Sequence, residues 1–157
     1  MSAPELPFFV YGTLRAGEVN HDLLLRGRTL REEPARLSGA VLYHGPGYPY
    51  AVEEPGGTVA GELVTPLPRA YARLLAELDR LEEYVPGDPR NLYERVEREV
   101  TADGGRDRDR GGDGDGAVRL GGIPPVRAWV YVAAPAVADR LRARGKQIES
   151  GDWLTRR

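Results

Sequence analysis

An apolar strand that runs directly into a glycine turn, at residues 8–15, constrains this chain more than any other feature. Phe8 to Tyr11 are aromatic or β-branched, and such residues favour extended backbone. Gly12 ends the strand, and because it has no Cβ it allows a ligand to approach the backbone closely. The N–H groups of Thr13 and Leu14 then have no evident strand partner. The sequence therefore predicts either an ordinary strand-to-loop turn or a turn that binds an anion.

The composition of the 157 residues excludes several classes of function. The chain has 22 Lys and Arg against 24 Asp and Glu, a net charge of -2, and no basic stripe that would follow phosphates. We therefore expect no nucleic-acid partner and no membrane partner. The absence of Cys excludes disulfides and thiolate nucleophiles, and no segment has the pattern of a signal peptide or a membrane span. These observations predict one domain over residues 1–157 in a soluble, cytoplasmic protein.

Apolar periodicity predicts four further strands, at residues 37–43, 57–64, 92–101 and 124–133. The last is a nearly continuous apolar run, so we expect it to be buried on both faces.

Short helices and loops are predicted between these strands. Asn20 is expected to cap a short helix over residues 21–25, and a late helix is expected over residues 135–144. The prolines of loop 45–50 restrict its backbone, so the Tyr48 ring is held either over a pocket or in ordinary packing. Residues 102–116 contain only Gly, Asp, Arg and one Ala, which predicts a mobile hairpin tip.

The longest predicted helix begins near Pro66 and Pro68 and runs to about Glu83. Apolar residues recur along it at helical spacing and form a stripe that should face the core: Leu67, Tyr71, Leu74, Leu75, Leu78 and Leu81. At about 100° per residue, Glu82 falls inside this stripe, whereas Asp79 and Glu83 lie toward or beyond its edge.

The position of Glu82 predicts a raised pKa. Burial and the helix C-terminus both disfavour an ionised carboxylate. A carboxylate with a raised pKa in a partly apolar cleft can take a proton from an amine near neutral pH and return it. The alternative is that the helix frays, so that Glu82 reaches solvent or pairs with Arg95.

Other catalytic motifs are missing from the sequence. There is no G-x-S-x-G and no G-x-x-x-x-G-K, and the two histidines, His21 and His44, lack metal-ligand spacing. We therefore expect no catalytic triad and no metal site.

Five short motifs, in order, resemble those of the γ-glutamylcyclotransferase superfamily. They lie at residues 11–15, 78–82, 93–95, 128–131 and 150–153, and begin with Tyr-Gly-Thr-Leu-Arg. The chain is similar to its AIG2-like, γ-glutamylamine cyclotransferase-type members over nearly its whole length, apart from the 102–116 insert.

The resemblance implies an α+β fold, a small mixed β-barrel flanked by helices, in which the turn and Glu82 meet in one pocket. It also implies that the α-amine of a small-molecule γ-glutamyl substrate attacks its own γ-carbonyl. The products are 5-oxoproline and an amine or amino acid, and no cofactor is required. By position, Glu82 is the general acid and base, and the backbone of Tyr11, Gly12, Thr13 and Leu14 holds the glutamyl group.

Several residues remain weaker candidates. Tyr48, Tyr93, Tyr131 and Trp153 line the pocket or pack in the core, and Arg15 either pairs with a carboxylate or is solvated at the surface. Glu83 stands where the family often has Gly. This departure keeps open a non-catalytic binding module, and the reaction itself keeps open a biosynthetic enzyme that removes a γ-glutamyl group. Neither the leaving amine nor the oligomeric state follows from the sequence.

Overall fold

Six strands and two α-helices form the part of the chain that the computed structural model describes, residues 5–103 and 124–155. The strands are β1 (Phe8–Val10), β2 (Thr29–His44), β3 (Pro49–Pro66), β4 (Tyr93–Ala102), β5 (Val126–Ala133) and β6 (Gln147–Ile148). The helices are α1 (Tyr71–Leu81) and α2 (Pro135–Arg144). A π-helical turn covers His21–Leu25, and 3-10 turns cover Pro68–Ala70 and Trp153–Thr155.

Five of these strands close into a barrel in the order β3-β1-β5-β4-β2, and β2 pairs back with β3. The pair β1 and β5 is parallel, with Phe8 opposite Trp129, and the other pairs are antiparallel. β6 extends the sheet from β2. The prediction of a small mixed barrel with flanking helices is confirmed.

The long β2–β3 hairpin extends well beyond the two strands that were predicted for it. The strands pair from Thr29 opposite Pro66 to His44 opposite Pro49, with a bulge at Gly39, whose φ is 85°. The predicted loop 45–50 is therefore shorter, because Pro49 begins β3. Proline is tolerated at the first residue of a strand, where its missing N–H is not required.

Side-chain alternation divides the strands between two buried clusters. Phe8 and Val10 of β1 pack with Leu74 and Leu78 of α1, whereas Phe9 packs in the second cluster. Residues 128–133 of β5 contribute to both clusters, which confirms burial on both faces there, but Val126 is exposed. The same alternation places Tyr93 of β4 in the first cluster and Val100 in the second. Leu92, predicted to share a face with Val100, precedes β4 and is exposed.

The start of the long helix differs from the prediction, whereas both ends of the late helix agree with it. Pro66 belongs to β3, and a 3-10 turn separates it from α1, so the predicted start of the long helix was wrong. Leu81, at the end of the predicted apolar stripe, is exposed. The late helix begins and ends at the predicted residues, Pro135 and Arg144.

The predicted hairpin tip at 102–116 lies almost entirely outside the described residues. Ala102 is the last residue of β4 and pairs with Ala35, and residues 104–116 are not among those described. Within the described ranges, neither helix has the length and apolar character required to cross a bilayer.

Candidate active site

A cavity of about 370 Å³ lies beside the end of β1, and most of the predicted site residues line it. Its walls come from the turn after β1, the loop before β3, the end of α1 and the start of β4. The predicted residues that line it are Tyr11, Gly12, Thr13, Leu14, Tyr48, Glu82, Tyr93 and Tyr131. Trp153 is not among the lining residues, because it packs in the second cluster, 6.4 Å from the ring of His44.

The turn after β1 presents free backbone donors to this cavity. The N–H of Arg15 donates to the carbonyl of Gly12 at 3.0 Å and closes the turn. Within the described part of the chain, no acceptor receives the N–H of Gly12, Thr13 or Leu14. Backbone donors without a protein partner are suited to bind an anion or a carbonyl oxygen.

Gly12 is required by packing. A Cβ at this position would lie 2.7 Å from Cδ of Pro49. The turn therefore packs directly against the first residue of β3.

Asn20 does not cap a helix, contrary to prediction. Its side-chain amide donates to Oγ1 of Thr13 at 2.7 Å, and its backbone N–H donates to the Thr13 carbonyl at 3.1 Å. The following residues form a π-helical turn, and Asn20 itself has helical backbone angles and no capping bond. Asn20 also lines the cavity, so it supports the turn and adds a polar group to the site that the sequence analysis did not identify.

Arg15 anchors the other end of the turn. It is only 8% exposed, so it is not a solvated surface residue; it pairs with two carboxylates, as the alternative interpretation predicted. Its Nε lies 3.3 Å from Oε2 of Glu62, and its Nη1 lies 2.7 Å from Oδ1 of Asp152. Glu62 also accepts the N–H of Ala16 at 2.9 Å. These bonds attach the turn to β3 and to the C-terminal segment.

Glu82 is held at an ordered helix end. Its N–H donates to the Leu78 carbonyl at 3.0 Å, so the helix does not fray before it. The next residue, Glu83, has a φ of 55°, and Tyr84 donates back to the Asp79 carbonyl at 2.8 Å. This bond pattern is a Schellman motif, in which Glu83 occupies the left-handed position that usually belongs to glycine.

Arg95 pairs with Asp79 and not with Glu82. Its Nε lies 2.8 Å from Oδ1 of Asp79, a second nitrogen lies 3.2 Å from Oδ2, and Tyr131 donates to the same carboxylate at 2.6 Å. The guanidinium also lies 4.4 Å from the centre of the Trp129 ring. Asp79 is thereby paired, and among the described residues no Lys, Arg or His lines the cavity beside Glu82.

Burial raises the pKa of Glu82 from its ordinary value of 4.5 to about 7. The carboxylate has no ion pair or hydrogen bond among the described residues, so the loss of hydration is not offset. Its protonated and ionised forms are therefore both populated near neutral pH, as proton transfer requires.

Three tyrosines form rigid walls around this carboxylate. The hydroxyls of Tyr11 and Tyr93 donate to backbone carbonyls, Tyr131 donates to Asp79, and burial raises the pKa of all three. Tyr93 also stacks on Tyr50 with ring centres 4.7 Å apart. Because these hydroxyls already have protein acceptors, they shape the cavity and stay protonated.

Sequence patterns did not predict which residues lie at the mouth of the cavity. Val19, Leu81 and Leu92 line the cavity and are exposed. Leu81 and Leu92 were assigned to apolar faces by periodicity, and no sequence signal separates a core residue from one at a cavity mouth.

A mixed barrel with this topology is the fold of AIG2-like proteins. A crystal structure of an AIG2-like protein from Mus musculus is similar over 83% of this chain and 80% of that one, with 22% identity and a TM-score of 0.55. A solution structure of an Arabidopsis thaliana protein is similar over 93% and 72%, with 27% identity and a TM-score of 0.56.

Sequence comparison places the chain within one family. Residues 8–155 match the model of the family described as "Gamma-glutamyl cyclotransferase, AIG2-like", and the chain belongs to this family. It is also 42% identical over 98 residues to the "Gamma-L-glutamyl-butirosin B gamma-glutamyl cyclotransferase" of Niallia circulans. That alignment covers 62% of this chain and 59% of the relative, which is less than two thirds of the relative's length.

Proposed function

We propose that the protein converts small γ-glutamyl compounds to 5-oxoproline and a free amine or amino acid, with Glu82 as general acid and base. The observation that carries the proposal is the shared cavity. It brings together a turn with free N–H donors and a carboxylate whose pKa is about 7. Family membership supports the reaction type.

The glutamyl group binds at the turn in this proposal. The free N–H groups of Gly12, Thr13 and Leu14 hold either the α-carboxylate of the substrate or the oxygen of the γ-carbonyl. Tyr93 and Tyr131 form part of the cavity wall, and Tyr48 lines the cavity from the loop before β3. Substrate carboxylate binding falls to the backbone, because the described lining residues include no Lys, Arg or His.

The proposed reaction begins with proton transfer to Glu82. The ionised carboxylate takes a proton from the α-ammonium, and the amine nitrogen attacks the γ-carbonyl carbon to form a five-membered ring. The carbonyl oxygen becomes negatively charged and is stabilised by the backbone N–H donors. The bond from the γ-carbon to the leaving nitrogen then breaks as protonated Glu82 returns the first proton to that nitrogen. The second proton of the ring nitrogen also passes to the released amine, so the products are 5-oxoproline with a neutral lactam N–H and an ammonium ion. Water is neither consumed nor produced.

The test is to incubate the protein with γ-glutamyl amines and γ-glutamyl dipeptides and to quantify 5-oxoproline by mass spectrometry. Glu82→Gln is expected to lower kcat by about 10²-fold or more, because amide nitrogen cannot relay the proton. Glu99→Gln is the matched control, since Glu99 is exposed on β4 outside the cavity, and among the described residues it pairs with Arg127 alone, at 3.9 Å. Absence of 5-oxoproline from every substrate, or full activity of a folded Glu82→Gln variant, contradicts the proposal.

A second candidate is an enzyme that removes a γ-glutamyl group from a biosynthetic intermediate. This candidate is favoured by the name of the Niallia circulans relative, which is a cyclotransferase for γ-L-glutamyl-butirosin B. The chemistry is the same and the leaving amine is larger. A preference for γ-glutamylated intermediates over γ-glutamyl dipeptides in the same assay supports this candidate, and the reverse preference refutes it. If ligand binds but no substrate is turned over, the protein is a binding module.

A further inference from the structure

The charged residues of the cavity are all of one sign. Glu82 and Glu83 are adjacent in the chain and both line the cavity, and the remaining described lining residues are neutral. Glu82 is assigned to proton transfer in the proposed function. Glu83 has no role in that reaction, and its carboxylate forms no ion pair or hydrogen bond with any described residue. An exposed, unpaired carboxylate therefore lies in the wall of the cavity, next to Glu82.

The backbone at Glu83 disfavours the residue that occupies it. Glu83 is the one non-glycine residue with positive φ in the described ranges, at 55°. An L-residue in the left-handed region is disfavoured relative to glycine, because its Cβ lies too close to the following carbonyl oxygen. A side chain kept at a strained position beside a cavity points to a role for that side chain.

The surroundings of Glu83 match an organic cation with an apolar spacer. Leu81 and Leu92 are exposed at the mouth of the cavity, and they can contact an alkyl chain or the carbon edge of a ring. The rings of Tyr48 and Tyr93, 6.3 Å apart between centres, lie in the same cavity wall and add aromatic surface that an organic cation can contact. No described lining residue carries a positive charge that would repel it.

We propose that Glu83 is a specificity determinant that selects leaving amines carrying a second, protonated amine. The inference rests on the proposed function, because it assigns the leaving-group side of the same site. The nitrogen released from the γ-glutamyl group lies near Glu82, and the second ammonium lies near Glu83 at the mouth of the cavity. The two carboxylates thus have separate partners, one at each end of the released diamine.

The test compares two substrates that differ by a single charge. N-γ-glutamyl-1,4-diaminobutane and N-γ-glutamyl-pentylamine have the same length, but only the first has a terminal ammonium. The wild-type protein is expected to favour the charged substrate by about fivefold in kcat/KM, the effect of one partly exposed ion pair. The preference should fall in 1 M salt, where the Debye length is about 3 Å. Mono-γ-glutamyl-1,4-diaminocyclohexane distinguishes a ring-shaped leaving group from a linear one.

Variants of Glu83 separate charge from structure. Glu83→Gln keeps the side-chain size and the backbone strain, and it is expected to bring the ratio of the two kcat/KM values to about one. Glu83→Lys should reverse the preference. The ratio is an internal control, since a change in folding or in Glu82 alters both substrates together.

The outcomes distinguish this inference from the function on which it rests. Equal turnover of both substrates by the wild-type protein, or a charge preference that survives in Glu83→Gln, overturns the inference and leaves the cyclotransferase activity standing. No 5-oxoproline from either substrate overturns both.

Discussion

Removing the charge of Glu82 is expected to stabilise the fold while it abolishes catalysis. The pKa of Glu82 rises from 4.5 in the unfolded chain to about 7 in the folded protein, because burial disfavours the ionised form. The folded state therefore binds a proton more tightly than the unfolded state does. This contribution to stability is complete below pH 4.5 and is lost as the pH rises through 7.

The magnitude follows from that rise in pKa. Each pKa unit corresponds to about 1.36 kcal/mol, so ionised Glu82 lowers the free energy of unfolding by about 3 kcal/mol at pH 8, or about 2 kcal/mol where water in the cavity screens it. Glu82→Gln retains the backbone bond to Leu78 and the size of the side chain. The free energy of unfolding of Glu82→Gln minus that of wild type should therefore increase by about 2–3 kcal/mol as the pH rises from 4 to 8.

Urea denaturation of both proteins at several pH values measures this difference directly. The difference in the free energy of unfolding between variant and wild type cancels the contributions of all other titrating groups. Glu99→Gln, on the exposed part of β4, is the control and should change stability by no more than about 0.5 kcal/mol at any pH. A Glu82→Gln difference that stays constant with pH, or that decreases as the pH rises, refutes a buried carboxylate with a raised pKa.

The activity and three other variants give further tests. Because Glu82 must be ionised to accept the first proton, kcat/KM should rise with pH through about 7, and a profile flat from pH 5 to 8 contradicts this role. Glu83→Gly should raise the free energy of unfolding by about 1 kcal/mol, measured in urea, because glycine tolerates a φ of 55°. Gly12→Ala should destabilise the protein by about 1–3 kcal/mol, since the new Cβ meets Pro49 at 2.7 Å; an unchanged melting curve contradicts this. Arg15→Met leaves two carboxylates unpaired and should lower stability by about 3 kcal/mol, whereas a neutral result implies that water replaces the guanidinium.

Local patterns predicted the parts of the site that depend on neighbouring residues. The strand that precedes Gly12 and the position of Glu82 on the apolar side of the helix both follow from short-range periodicity, and the structure places both beside one cavity. The late helix was predicted to the residue because Pro135 opens it and Gly145 follows it. The hairpin strands were underestimated, because Pro34 and Gly39 are local signals for a break. Pairing along the whole length of β3 overrides those signals.

The interactions that hold the site in place connect residues distant in the chain, and short-range patterns do not encode them. Arg15 meets Asp152 across 137 positions of sequence, so its burial depends on how the barrel closes. Asn20 is a residue type common at helix N-caps, yet its side-chain amide nitrogen donates to a hydroxyl seven residues earlier, and its oxygen makes no capping bond. Arg95 was considered as a partner of Glu82, but Asp79 lies on the adjacent turn of α1 and offers both carboxylate oxygens. That bidentate pairing holds Arg95 at Asp79 and away from Glu82. Burial then raises the pKa of Glu82, and no ion pair among the described residues offsets it.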